Sequence, residues 1–181
     1  GVRPEDFYRE ISTFTGAANR LEKIAETVTS VAYKDFAHSP SKLRATIKAV
    51  RERYPDKRLI AAMELHTFSS LMADFLPQYN GCMADADVAY VYFNPKVIEH
   101  KRLTPITAEE VRRAFGTANV EVFTESEALQ AKLRSLFNAQ NDKMAKDKIV
   151  NKAGTALLMM SSGTFDGVDV KRFAQELLGQ A

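Results

Sequence analysis

A single cysteine, Cys82, and no tryptophan occur in this 181-residue sequence. One thiol excludes an internal disulfide. Cys82 also lacks partners at a metal-ligand spacing, so no metal site is expected within the chain. A reducing cytoplasm is the expected setting. No apolar stretch approaches the roughly 20 residues needed to cross a bilayer, and the start does not resemble a secretory signal. The opening GVRPEDFYRE lacks an initiator methionine, as expected of a piece of a longer protein. Excess charge of either sign is missing as well, because 25 basic and 23 acidic side chains leave a net +2. That balance gives no electrostatic case for nucleic acid or an anionic membrane as partner. Neither the three-glycine dinucleotide fingerprint nor a Walker-type phosphate loop is present. Repeats, Ser/Gly-rich linkers and low-complexity tracts are absent too, leaving one domain with at most a short leading arm.

What is present is a core, with 45% hydrophobic and 27% charged residues, as in soluble globular domains. Residues 20–33, RLEKIAETVTSVAY, have two β-like halves that can pair as a hairpin. Apolar runs then alternate with helical patterns. Leu43, Ile47 and Val50 share one face of a helix after Pro40, which suits a first helical turn, with Ser39 or Ser41 as cap. RLIAAMEL (58–65) reads as a strand covered on both faces. SSLMADFLPQY follows as a helix perturbed by Pro77, then strand VAYVYFN (88–94) and helix TAEEVRRAF (107–115). VEVFT (120–124) leads into a helix with Leu129, Leu133 and Leu136 at helical spacing. ALLMMSS (156–162) is the last strand and VDVKRFAQELL the closing helix. This alternation implies an α/β, Rossmann-like fold: a mainly parallel sheet, helices on both faces and a short N-terminal β-hairpin arm.

In open α/β sheets, ligands gather beyond the carboxyl ends of the strands. The polar clusters fall there: Asp35 and His38, Glu64 to Ser70, Asn94, and Ser161 to Asp166. Asp35 suits a helix cap or loop-amide acceptor as well as an acceptor for two ribose hydroxyls. His38 is either a plain loop histidine or a contact for phosphate or carboxylate. Glu64 directly after an apolar strand is costly unless it reaches solvent or a partner. Thr67 or Ser69 can cap the following element while His66 stays exposed. SSGTFDG (161–167) joins strand to helix through two glycines, either as an ordinary tight turn or as a set of N–H donors for an anion. The basic run His100, Lys101 and Arg102 reads as solvated surface more readily than as a ligand contact.

DFAHSP (35–40) resembles the Asp-aromatic-small-His-x-Pro motif opening the C-terminal domain of the Mur ligases, the ATP-dependent amide ligases of peptidoglycan synthesis. The lead-in FTGAANRLEKIAE (14–26) is similar to the segment preceding that domain. MELH followed by TFSS, and LMMSSGTFDGV near the end, look most like the muropeptide ligase branch. That branch joins L-alanyl-γ-D-glutamyl-meso-diaminopimelate to UDP-N-acetylmuramate. The resemblance spans roughly Phe14 to Leu178. It implies a three-domain enzyme that binds the UDP sugar in its first domain and holds ATP and Mg2+ mainly in its second. The third domain closes over the nucleotide and binds the incoming amine. The family reaction runs through an acyl phosphate. Residues 1–26 would be the tail of the linker from a missing central domain, and 27–181 the C-terminal domain, inactive alone.

By resemblance, Asp35 and His38 would meet the nucleotide, and Glu64, His66, Thr67 and Ser70 would border the amine substrate. Ser162, Gly163, Thr164, Phe165 and Asp166 would line the peptide's far end. Alanine-adding relatives carry arginines after the second strand, where this chain has His66, Thr67 and Ser70. His66, Lys101 or Arg102 would then supply the charge, or the substrate differs. A single amino acid as substrate, and a non-catalytic Rossmann-like binding module, are the alternatives.

Overall fold

A computed structural model describes residues 21–116, 119–146 and 154–180. The expected lead-in from Phe14 to Arg20 lies outside these residues. Six strands among the described residues form one sheet: β1 (Glu22–Glu26), β2 (Ser30–Asp35), β3 (Arg58–Glu64), β4 (Val88–Tyr92), β5 (Val120–Phe123) and β6 (Thr155–Met160). Their order across the sheet is β1-β2-β6-β3-β4-β5. Only β1 runs antiparallel, completing the expected hairpin with β2 through an irregular register between Lys23 and Ala25. The other pairs are parallel.

β3 and β6 read as nearly unbroken apolar runs because both of their faces are covered. Every residue of β6 is buried, as parallel sheets require. One face packs on α1 (Pro40–Arg53) through Leu43, Ile47 and Val50, and on α3 (Ala108–Phe115) through Val111 and Phe115. The opposite face packs on α4 (Ser126–Lys146) and on α5 (Val170–Leu177), which contributes Phe173, Ala174 and Leu177. In α4 the buried stripe is Leu129, Leu133 and Phe137, while Leu136 is only partly covered. Each such side chain contributes roughly 1.5–3 kcal/mol relative to exposure. A short helix α2 (Pro95–His100) is capped by Asn94, whose side chain accepts the Lys96 N–H. Asn94 is thereby a helix cap rather than a free rim group.

The expected helix over SSLMADFLPQY does not form. Two 3-10 turns, Ser69–Leu71 and Leu76–Tyr79, replace it. Leu71 is buried from the first turn, and Leu76 and Tyr79 from the second. Pro77 cannot donate to a continuing helix.

The last strand in sequence, β6, inserts between β2 and β3. Met160 pairs with Asp35 on one side and with Met63 on the other. Ser161, Phe36 and Glu64 therefore leave the sheet at nearly one level. This edge, where neighbouring strands run to opposite sides of the sheet, is where open α/β folds place a ligand.

Candidate functional site

Alternation along the strands decides which polar groups meet. Val31 and Tyr33 face the α1 side, so Asp35 does too. Ile60 and Ala62 face the α4–α5 side, and Glu64 follows them. The two carboxylates thus stand on opposite faces of one edge.

Glu64 is 3% exposed. Its Oε2 accepts a short hydrogen bond from Ser161 Oγ and another, 2.8 Å, from the Phe165 N–H. Ser161 Oγ in turn accepts the Gly163 N–H at 2.6 Å. Glu64 Oε1 lies 3.5 Å from His66 Nδ1. Gly163 is seated so closely that an added Cβ would stand 2.8 Å from Glu64 Oε2 and the His66 ring. Phe165 is buried and stacks on Tyr92 with ring centroids 6.3 Å apart. Its carbonyl accepts Ser126 Oγ–H at 2.6 Å. Phe165 and Asp166 both adopt positive φ, 50° and 65°, an uncommon conformation for residues other than glycine.

The structure therefore brings together Glu64, His66, Gly163 and Phe165 from the expected set, and adds Ser161 and Tyr92. Tyr92 pairs in register with Glu64 across β3 and β4. Its hydroxyl is buried without a partner of normal hydrogen-bond geometry among the described residues. Burial pushes the Tyr92 phenol up to about 12, with the Asp166 and Glu64 carboxylates adding to it and the Asn94 side chain opposing. Ser162 Oγ is likewise buried and unpartnered among the described residues. Thr164 and Asp166 are exposed at the loop tip, where Thr164 Oγ1 accepts the Gly167 N–H.

Thr67 and Ser70 are engaged with each other. Thr67 Oγ1 accepts the Ser70 N–H at 3.2 Å, and Ser70 Oγ donates to the Thr67 carbonyl at 3.0 Å. Ser70 is buried, so this pair shapes the turn. Lys101 Nζ donates to the His66 carbonyl at 2.9 Å and sits 4.6 Å over the exposed Phe68 ring. Of the basic residues of that run, Lys101 reaches the corner left without arginine. Arg102 instead lines a separate hollow with Pro95, Ile98 and Leu103.

On the α1 face, Asp35 Oδ1 accepts the Ala37 N–H at 2.6 Å and Thr46 Oγ1–H at 3.4 Å, and Oδ2 accepts the Leu21 N–H. The capping position of α1 belongs to Ser39, whose side chain makes no cap bond. Asp35 is the loop-amide acceptor rather than the helix cap. A carboxylate has about four acceptor positions, so at least one remains for an external donor. His38 Nδ1–H donates to the Phe36 carbonyl at 2.8 Å. Phe36 is half-exposed beside it, with ring centroids 5.0 Å apart. A cavity of about 440 Å3 runs along this edge between Lys34 and Phe36, the 161–165 loop, and the start of α5 at Asp169 to Lys171. Lys34 and Lys171 had no signal in the sequence beyond ordinary surface lysine.

No helix among the described residues is long and apolar enough to cross a membrane. Residues 19–154 match the family described as Mur ligase, glutamate ligase domain. A UDP-N-acetylmuramate–L-alanine ligase of Chlorobium luteolum is 30% identical over 186 aligned residues, covering 99% of this chain and 36% of that protein. The chain thus spans about a third of such curated relatives' length. Among solved structures, a murein peptide ligase from Psychrobacter arcticus superposes with a TM-score of 0.57 at 21% identity, over 95% of this chain and 32% of that one. A UDP-N-acetylmuramoylalanyl-D-glutamyl-2,6-diaminopimelate–D-alanyl-D-alanyl ligase from Acinetobacter baumannii gives 0.61 at 13% identity, over 98% and 33%. At these identities the superpositions speak for the fold.

Proposed function

Since the chain belongs to the Mur ligase family, as its glutamate ligase domain, we propose that it closes the active site of an ATP-dependent ligase acting on UDP-N-acetylmuramate. The incoming amine is a peptide, L-alanyl-γ-D-glutamyl-meso-diaminopimelate. In this reading the rest of the protein holds the UDP sugar, ATP and Mg2+, and the reaction takes place in the cytoplasm. The nucleotide would supply activation of the muramyl carboxylate. This chain supplies alignment of the amine and exclusion of water, the effects that carry most of such a condensation. With no phosphate loop of its own, the chain alone is expected to be inactive.

The observation that carries the reading is the convergence of residues 64–66 and 161–166 on one strand-end edge, held by the Glu64–Ser161–Phe165 network beside the 440 Å3 cavity. His66, Gly163, Thr164 and Asp166 would border the amine substrate. Asp35 fits a nucleotide in part, since its remaining acceptor capacity suits one ribose hydroxyl, with His38 beside it. Lys101, fixed on the His66 carbonyl, would stand in for the missing arginine.

L-alanine as the amine is the second reading, favoured by the names of the curated relatives. Phosphate release from ATP by the full-length protein, given UDP-N-acetylmuramate and either amine, separates the two. We expect release with tripeptide and little with L-alanine. Equal or greater release with L-alanine would defeat the peptide assignment, and release with neither would defeat the ligase.

A further inference from the structure

We propose that Glu64 is a positioning residue: its buried carboxylate clamps the 161–167 loop and does not itself meet the substrate. The proposal rests on the reading that this loop borders the incoming amine. A glutamate at a strand end in a binding edge would ordinarily be taken for a ligand contact, and the family resemblance implies just that. Its surroundings argue otherwise. The side chain is 4% exposed, which leaves a ligand no access to it. Oε2 is committed to Ser161 Oγ–H and the Phe165 N–H, and Ser161 Oγ carries the Gly163 N–H. Ser161 and Phe165 are thereby tied directly to one acceptor on another strand, and Gly163 is tied to it through Ser161 Oγ.

The loop needs such a tie. Phe165 and Asp166 hold positive φ without being glycines, a state that persists only where the surroundings enforce it. The Phe165 ring is pinned on Tyr92 and its carbonyl by Ser126, so its amide is the remaining free handle, and Glu64 takes it. With Phe165 fixed, Thr164 and Asp166 are presented outward at the tip.

A clamp needs an acceptor of the right shape, whereas a substrate-binding group needs the charge. A glutamine oxygen has two lone pairs and can receive both donors. In the full-length protein, Glu64→Ala is expected to speed hydrogen exchange of the Phe165 amide by about tenfold or more. The KM for the amine substrate should rise by about tenfold, with the KM for ATP unchanged. Glu64→Gln should stay close to the parent in both. If Glu64→Gln raises that KM as much as Glu64→Ala while exchange stays slow, the charge meets substrate and the proposal is overturned. Unchanged exchange in Glu64→Ala, or faster exchange without a change in KM, overturns it as well. Should Glu64→Ala fail to fold, Ser161→Ala removes one leg of the same tie and is expected to move exchange and KM in the same direction. The exchange measurement needs no turnover. A protein that joins no amine would refute the ligase reading while exchange still decided the clamp.

Discussion

At Gly163 the main chain lies against the Glu64 carboxylate and the His66 ring, with 2.8 Å for any Cβ. His66 is partly exposed and can swing away, but Glu64 is tied down. Gly163→Ala is therefore expected to lower stability by about 1–3 kcal/mol, read as a shifted urea midpoint. An unchanged midpoint would mean that the loop yields freely. Asp35 offers a second residue test, because three internal donors depend on it. Asp35→Ala should cost about 1–3 kcal/mol and also raise the KM for ATP in the full-length protein. A stability loss with ATP use intact would remove Asp35 from the nucleotide site. The cost of placing Glu64 after an apolar strand was legible in sequence, but its partners were not. Ser161 and Phe165 stand 97 and 101 positions away, and one sequence carries no signal for so distant a pairing.

Elements were more legible than contacts. The parallel strands appear where β-like apolar runs predict them, and in β3 and β6 two-sided burial leaves an unbroken hydrophobic signature. TAEEVRRAF forms its helix with Thr107 and Glu110 in a reciprocal capping box. Thr107→Ala should cost about 1 kcal/mol by denaturation, and no change would show that α3 is held by Val111 and Phe115 alone. The stretch 69–79 escapes a sequence reading because its composition is helical while its buried positions follow the shape of the core. Asn94 escapes it because a polar residue after a strand looks the same whether it meets a ligand or caps the next helix.

Over the whole molecule, the alternation of patterns specifies an α/β sheet but not its strand order. Nothing local in ALLMMSS says that the last strand inserts between the second and third, and that insertion creates the edge where the loops meet. The core also makes a pH prediction. Burial raises the phenols of Tyr33, Tyr90 and Tyr92 from 10.0 to about 12. The folded state then keeps protons that the unfolded chain gives up, so this contribution is intact below pH 10 and is lost as pH rises toward about 12. The tyrosinate absorbance of these three rings should appear together with loss of far-ultraviolet circular dichroism. Titration of Tyr33, Tyr90 and Tyr92 near 10 in a still-folded protein would contradict this. The central claim is that loops from separate strands form one ligand-facing edge. Hydrogen exchange of the full-length protein, with and without ATP, UDP-N-acetylmuramate and tripeptide, tests it most directly. Joint protection of residues 35–38, 64–70 and 161–167 is predicted; protection confined to the opposite edge, around 55–57 and 85–87, would contradict it.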